Sequence, residues 1–87
     1  MATKFFRHRD RDYEAWRASH LNDGFIVNID ESASGGNRIH RASCRTLQIP
    51  IDKGQDLTGP YPKHCSTDQA QLRRETGNPR SCAICAS

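Results

Sequence analysis

Two short histidine and cysteine spacings constrain this chain more than anything else in it. Ile39-His40-Arg41-Ala42-Ser43-Cys44 contains a His-x3-Cys, and Arg80-Ser81-Cys82-Ala83-Ile84-Cys85 contains a Cys-x-x-Cys. Each spacing puts two donors within reach of one ion, and a Cys-x-x-Cys turn also points backbone N–H groups at its sulfurs. Together they supply one nitrogen and three sulfurs, the donor set of a closed tetrahedral zinc site. The expected ligands are therefore His40, Cys44, Cys82 and Cys85, with Zn2+ as the cofactor. The long segment between Cys44 and Cys82 is no obstacle, because the cost of closing a loop grows only logarithmically with its length.

An ion matters here because the chain has little else to fold around. It has 87 residues, of which 34% are hydrophobic, and its mean hydropathy is -0.84. A domain this small buries only about 60% of its unfolded surface even at ordinary composition, and usually needs a staple. The expectation is one metal-stapled domain over residues 1–87. Residues Met1 to Arg11 contain no apolar run of signal-peptide length, and no stretch approaches the roughly 20 apolar residues of a membrane helix. A cytoplasmic setting without membrane contact follows as the expectation. Thiols stay reduced there, which favours metal ligands over disulfides. A redox Cys82/Cys85 pair would need a βαβ context that the pattern lacks. Cys65 is the alternative fourth ligand in place of His40, with His64 behind it. His8 and His20 read as solvated or interface histidines.

Residues 1–9 read as a frayed start, with one of Phe5-Phe6 tucked against the domain. Asp10 or Asp12 can cap a helix running to about His20, with Tyr13, Trp16 and His20 on one face and Tyr13 and Trp16 as core residues. Asn22-Asp23-Gly24 turns the chain into a strand over Phe25–Ile29. After a polar loop, Glu31 to Asn37, a second strand over Arg38–Arg41 completes a hairpin. Arg45-Thr46-Leu47 reads as one helical turn, Ile49-Pro50-Ile51 as a short edge strand, and Tyr61–Cys65 as a third strand. Ser66 with Gln69 reads as a capping box opening a helix to Thr76, stopped at Gly77, before an Asn78-Pro79 turn. The fold expected is α+β: an N-terminal helix, a three-stranded antiparallel sheet and a second helix, with the zinc site at one end.

His40-Arg41-Ala42-Ser43-Cys44, Tyr61, the Ser66 to Leu72 segment and Cys82-Ala83-Ile84-Cys85 resemble, in order and spacing, the metal-binding domain of the Ada DNA-repair proteins. The likeness covers residues 38–85. It implies a small α+β fold with zinc at one end of a sheet, and DNA as a partner. The stretch from Tyr13 to Asn28 looks like a short bacterial module that precedes such a motif. The methyl acceptor of the Ada domain is the first cysteine of its motif. His40 stands in that place here, and an imidazole cannot perform the same thiolate chemistry, so the resemblance does not imply methyl transfer. The connection between Cys44 and Cys82 is also longer, with Asp52 to Gly59 reading as a loop insertion.

Enzyme chemistry finds little support. Ser34-Gly35-Gly36-Asn37 lacks the lysine and the strand–helix context of a phosphate loop. A four-ligand ion leaves no open position, and no pair of carboxylates is set for acid–base work. The net charge is +3 and the pI about 8.9. Arg38, Arg41, Arg45, Lys63, Arg73, Arg74 and Arg80 come from segments that the ion would gather, so a non-enzymatic DNA-binding module with one basic face is the expected function. The alternative is a protein-interaction module with purely structural zinc, meeting a partner through Phe5-Phe6 or the Asp52–Gly59 loop. An enzyme using an exposed Cys65 is the third reading.

Overall fold

The hairpin in the middle of the sequence becomes the middle of the sheet. A computed structural model of the chain describes residues 3–29, 37–59, 61–77 and 79–82. Its elements in order are β1 (Lys4–Phe6), α1 (Asp10–Ser19), β2 (Phe25–Asn28), β3 (Arg38–Arg41), α2 (Arg45–Asp52), β4 (Lys63–Ser66), α3 (Gln69–Glu75) and β5 (Arg80–Ser81). They form an α+β domain with a five-stranded mixed sheet ordered β1-β4-β2-β3-β5. The first three pairings across the sheet are antiparallel, and β3 with β5 is parallel.

Alternation along β2 splits the apolar residues between two faces. Ile26 faces Tyr13, Leu47, Leu57 and Cys65, so α1 and α2 cover that side. Val27 faces Ile39 and Leu72, so α3 covers the other. Gly24 makes the turn between α1 and β2 possible. A β-carbon there would lie 2.8 Å from the His20 carbonyl oxygen and 2.9 Å from Trp16.

The three expected strands are present, and the sheet extends past them at both edges. Residues 4–6 are not a frayed start: they pair with β4, Lys4 opposite Cys65 and Phe6 opposite Lys63, and Phe6 packs on the core. The expected edge strand at Ile49-Pro50-Ile51 is instead part of α2. Leu47, Ile49 and Ile51 alternate and so look like a strand. The helix buries Leu47 and packs Ile51, one turn apart, while Ile49 stays 45% exposed. That apolar pair outweighs the backbone bond Pro50 cannot make. The cap of α3 also moves: Asp68, not Ser66, accepts from the Gln71 N–H at 3.1 Å. Ser66 Oγ accepts from the Asp68 N–H just ahead of it. The Glu31 to Gly36 part of the expected loop lies outside the described residues.

Buried polar side chains do much of the joining between elements. Arg17 donates to the Ala42 carbonyl at 2.6 Å and to Gln48 Oε1 at 2.9 Å, tying α1 to the end of β3 and to α2. Asp10 does not cap α1; Arg9 holds that position without a side-chain bond. The Asp10 carboxylate accepts from the Leu57 N–H, the Thr58 N–H and the Thr58 hydroxyl, at 2.9, 2.8 and 2.6 Å. Burial pushes its pKa up, but those hydrogen bonds outweigh it and hold it below the ordinary value. Asp10→Ala should lower the unfolding free energy of the metal-loaded protein by about 1–3 kcal/mol, since it strands donors of the buried Thr58. Asp12→Ala, at an exposed ion pair with Arg9, should change it by less than about 1 kcal/mol. Urea denaturation of the two variants checks both.

Candidate metal centre

Three of the four expected ligands meet at the β3–β5 junction. The parallel register sets Arg38 opposite Arg80 and Ile39 opposite Ser81. One residue on, the Cys82 N–H donates to the Ile39 carbonyl at 3.0 Å, which brings Cys82 alongside His40. Cys44 arrives from the turn that follows β3, where its N–H donates to the Arg41 carbonyl at 2.9 Å. The ligand atoms of His40, Cys44 and Cys82 all lie within 4.8 Å of one another. The two sulfurs are 3.9 Å apart. Tetrahedral zinc with bonds of about 2.3 Å spaces its sulfurs about 3.8 Å apart, whereas a disulfide would need about 2.0 Å. Cys44, Cys65 and Cys82 are all free thiols. The donor set and its spacing fit a single ion held between the three side chains.

The local field suits ligation. Cys44 occupies the N-cap of α2, whose first turn carries no acidic residue. The helix-end N–H groups favour a thiolate there. Thr46 Oγ1 lies 3.0 Å from Cys44 Sγ and 3.4 Å from His40 Nδ1, bridging two ligands with one hydroxyl. Such outer contacts fix ring orientation and tune the ligands. Thr46 was not visible as a site residue in the sequence. The only signal was a hydroxyl in the first turn of a helix that begins at a candidate ligand. His40 is 9% exposed, and burial, with help from Lys63 and Arg38, lowers its pKa. That keeps the imidazole neutral, the form that binds metal.

The remaining expected residues fall elsewhere. Cys85 lies outside the described residues. Cys65 is fully buried in β4 and does not join the group: Ile26 stands between it and His40 in one cross-strand row, a separation of about 9.5 Å. Burial pushes its thiol pKa up, against the pull of Lys63. His64 points to the other face of the sheet, where Thr3 Oγ1 sits 2.7 Å from its Nε2 and Phe5 packs edge-on. His8 is exposed, and His20 stacks on Trp16.

The basic residues do not share one face. Strand alternation puts Arg38 and Arg80 on the α1/α2 side and Arg41 on the α3 side, where Arg73 donates to the Pro79 carbonyl and Ser81 Oγ. Arg45 stands next to Cys44, and Arg74 is exposed on α3. Lys63 leaves the set altogether. It is 7% exposed and its ammonium donates to Asn28 Oδ1, the Leu57 carbonyl and the Tyr61 carbonyl at 2.6, 2.6 and 2.8 Å. Burial brings its pKa down to about 8, with Cys65, Asp10 and Asp56 opposing. His40 and Thr46 also border a cleft of about 560 Å³ between α2, the 55–57 segment and the sheet.

No protein-family model matches the chain, and no curated protein or solved structure matches it either. The likeness to the Ada metal-binding domain therefore rests on motif order and spacing alone. No helix among the described residues is long and apolar enough to cross a membrane.

Thr46→Val should weaken metal binding by about 10–100-fold, the usual loss when a contact to a ligand is removed. Competition with a chromophoric chelator measures it. Cys82→Ser should lose the metal, while Cys65→Ser should retain one equivalent. Metal bound by Cys65→Ser at well below one equivalent would place the site elsewhere.

Proposed function

We propose that this chain is a small, non-enzymatic zinc module that binds nucleic acid along its β3–β5 edge. In this reading His40, Cys44 and Cys82 hold the ion, and Cys85 supplies the fourth ligand. The set is closed, so the ion serves structure: it pins the short β5 strand to β3. The carrying observation is the pairing of Arg38 with Arg80. Both are exposed, and both lie two residues before a ligand, on the ligands' side of the sheet. Like charges directly across a strand pair repel, so an anion bridging them would relieve a local cost. A forked guanidinium suits a phosphate in that role. Arg45, in the first turn of α2 beside Cys44, extends the same basic edge. Arg41, Arg73 and Arg74 belong to the opposite side and are left out of it.

The test uses reduced, metal-loaded protein and a labelled oligonucleotide. Metal analysis should give one zinc per chain, and chelation should abolish the circular dichroism of the folded state. Binding should weaken with added salt, and Arg38→Glu with Arg80→Glu should reduce the salt slope by about 2, roughly one unit per phosphate contact. Arg41→Glu, on the other side, should leave the slope close to that of the parent. Salt-independent binding, or none, would sink the nucleic-acid reading while leaving the metal module intact.

A further inference from the structure

A polar row continues inward from Arg38. Lys63 lies opposite Asn28, Asn28 opposite Arg38, and Arg38 opposite Arg80. Cross-strand partners share a face, so one polar row runs from the floor of the 560 Å³ cleft out to the exposed arginine pair. The cleft falls within the size range of small-ligand sites. Its inner walls are apolar, from Leu47, Pro50 and Leu57, and Tyr61, 43% exposed, stands in its lining.

Polar groups in the cleft are placed for a ligand edge with acceptors. Lys63 takes the Asn28 oxygen, which fixes the amide and turns its N–H₂ pair away from the ammonium. Tyr13, 1% exposed, forms part of the wall, and its hydroxyl has no hydrogen-bond partner among the described residues. An unpaired buried hydroxyl is unfavourable, and an acceptor brought within its reach would relieve that.

We infer that this cleft takes one unpaired nucleobase of a bound strand, with the adjoining phosphates on Arg38 and Arg80. The inference rests on the nucleic-acid reading above and adds to it a preference for single strands. A mostly apolar cleft beside an exposed aromatic ring suits a base face. The Asn28 amide meets acceptors on the base edge, and the exposed Arg38 and Arg80 meet the backbone. A paired base inside a duplex cannot enter such a cleft without leaving its stack.

The experiment compares a labelled single strand with a duplex of the same length, by anisotropy, on the full metal-loaded chain. The single strand should bind about tenfold tighter or more, and Tyr61→Ala should remove most of that advantage, as expected for one lost base–aromatic stack. Duplex affinity should not change in that variant. In heteronuclear NMR the Asn28 side-chain amide should shift on addition of the single strand. Equal affinity for the two forms, or single-strand affinity untouched by Tyr61→Ala, overturns the inference. If salt-dependent binding persists in that case, the basic-edge reading stands without the cleft. If neither form binds, both fall together.

Discussion

The rest of the structure depends on the contact between β3 and β5. It is a parallel pairing of two residues on each strand, and parallel pairing is slightly the weaker kind per residue. Nothing in β5 itself could hold it: both its residues are exposed. What surrounds it is the His40–Cys44–Cys82 group and the Arg73 side chain, which reaches the Pro79 carbonyl and Ser81 Oγ. Zinc bound to such a donor set contributes about 10–16 kcal/mol in small metal domains. Whole domains are stable by only about 5–15 kcal/mol. An ion at this junction would therefore decide whether the chain folds, not merely adjust how well it does.

The other joints rely on buried polar groups, as expected of a chain with 34% hydrophobic residues. Asp10 takes the backbone donors of Leu57 and Thr58, and Lys63 gives its ammonium to the carbonyls of Leu57 and Tyr61. Leu57 is thus held through its N–H from one side and through its carbonyl from the other. Residues 55–59 have no strand or helix to satisfy their backbone, and these two side chains take the N–H groups of Leu57 and Thr58 and the Leu57 carbonyl instead. Holding that segment in place also forms one wall of the cleft.

Alternation and turn chemistry made β2, β3 and β4 legible from the sequence, because each buries a face strongly enough to impose a period of two. The core role of Tyr13 was legible because it shares a helix face with Trp16, and a chain with so few aromatics has few large side chains to build a core from. Tyr61, 43% exposed, shows that the same reasoning does not reach every aromatic. The edge strands were not legible. Lys4–Phe6 and Arg80-Ser81 are too short to carry a pattern, and they pair only because the sheet offers free edges. In α2 the apolar residues fit both periods, and the choice between them is made by contact with Ile26 and Tyr13, which no local window contains. His40, Cys44 and Cys82 were legible as candidate ligands from their spacing, but their convergence requires the parallel β3–β5 register. Lys63 was misread because charge alone says nothing about burial, and three oxygens, from Asn28, Leu57 and Tyr61, make its burial tolerable.

The adjacency of the metal group and the arginine pair has an electrostatic consequence. His40 and Cys82 lie two residues after Arg38 and Arg80 on the same strands, so the two rows stand side by side on one face. In the proposed four-ligand set, one divalent ion and three thiolates leave a net charge of -1 beside two guanidinium groups. That charge offsets part of the repulsion between the arginines when no strand is bound. In that reading it would also draw down their attraction for phosphate, so affinity at this edge would depend on the charge state of the ligands. With Cys82 protonated or the ion gone, the arginines lose both their counter-charge and the strand that aligns them. Structural metal and binding surface would thus be one unit, since the same β3–β5 pairing sets the geometry of both.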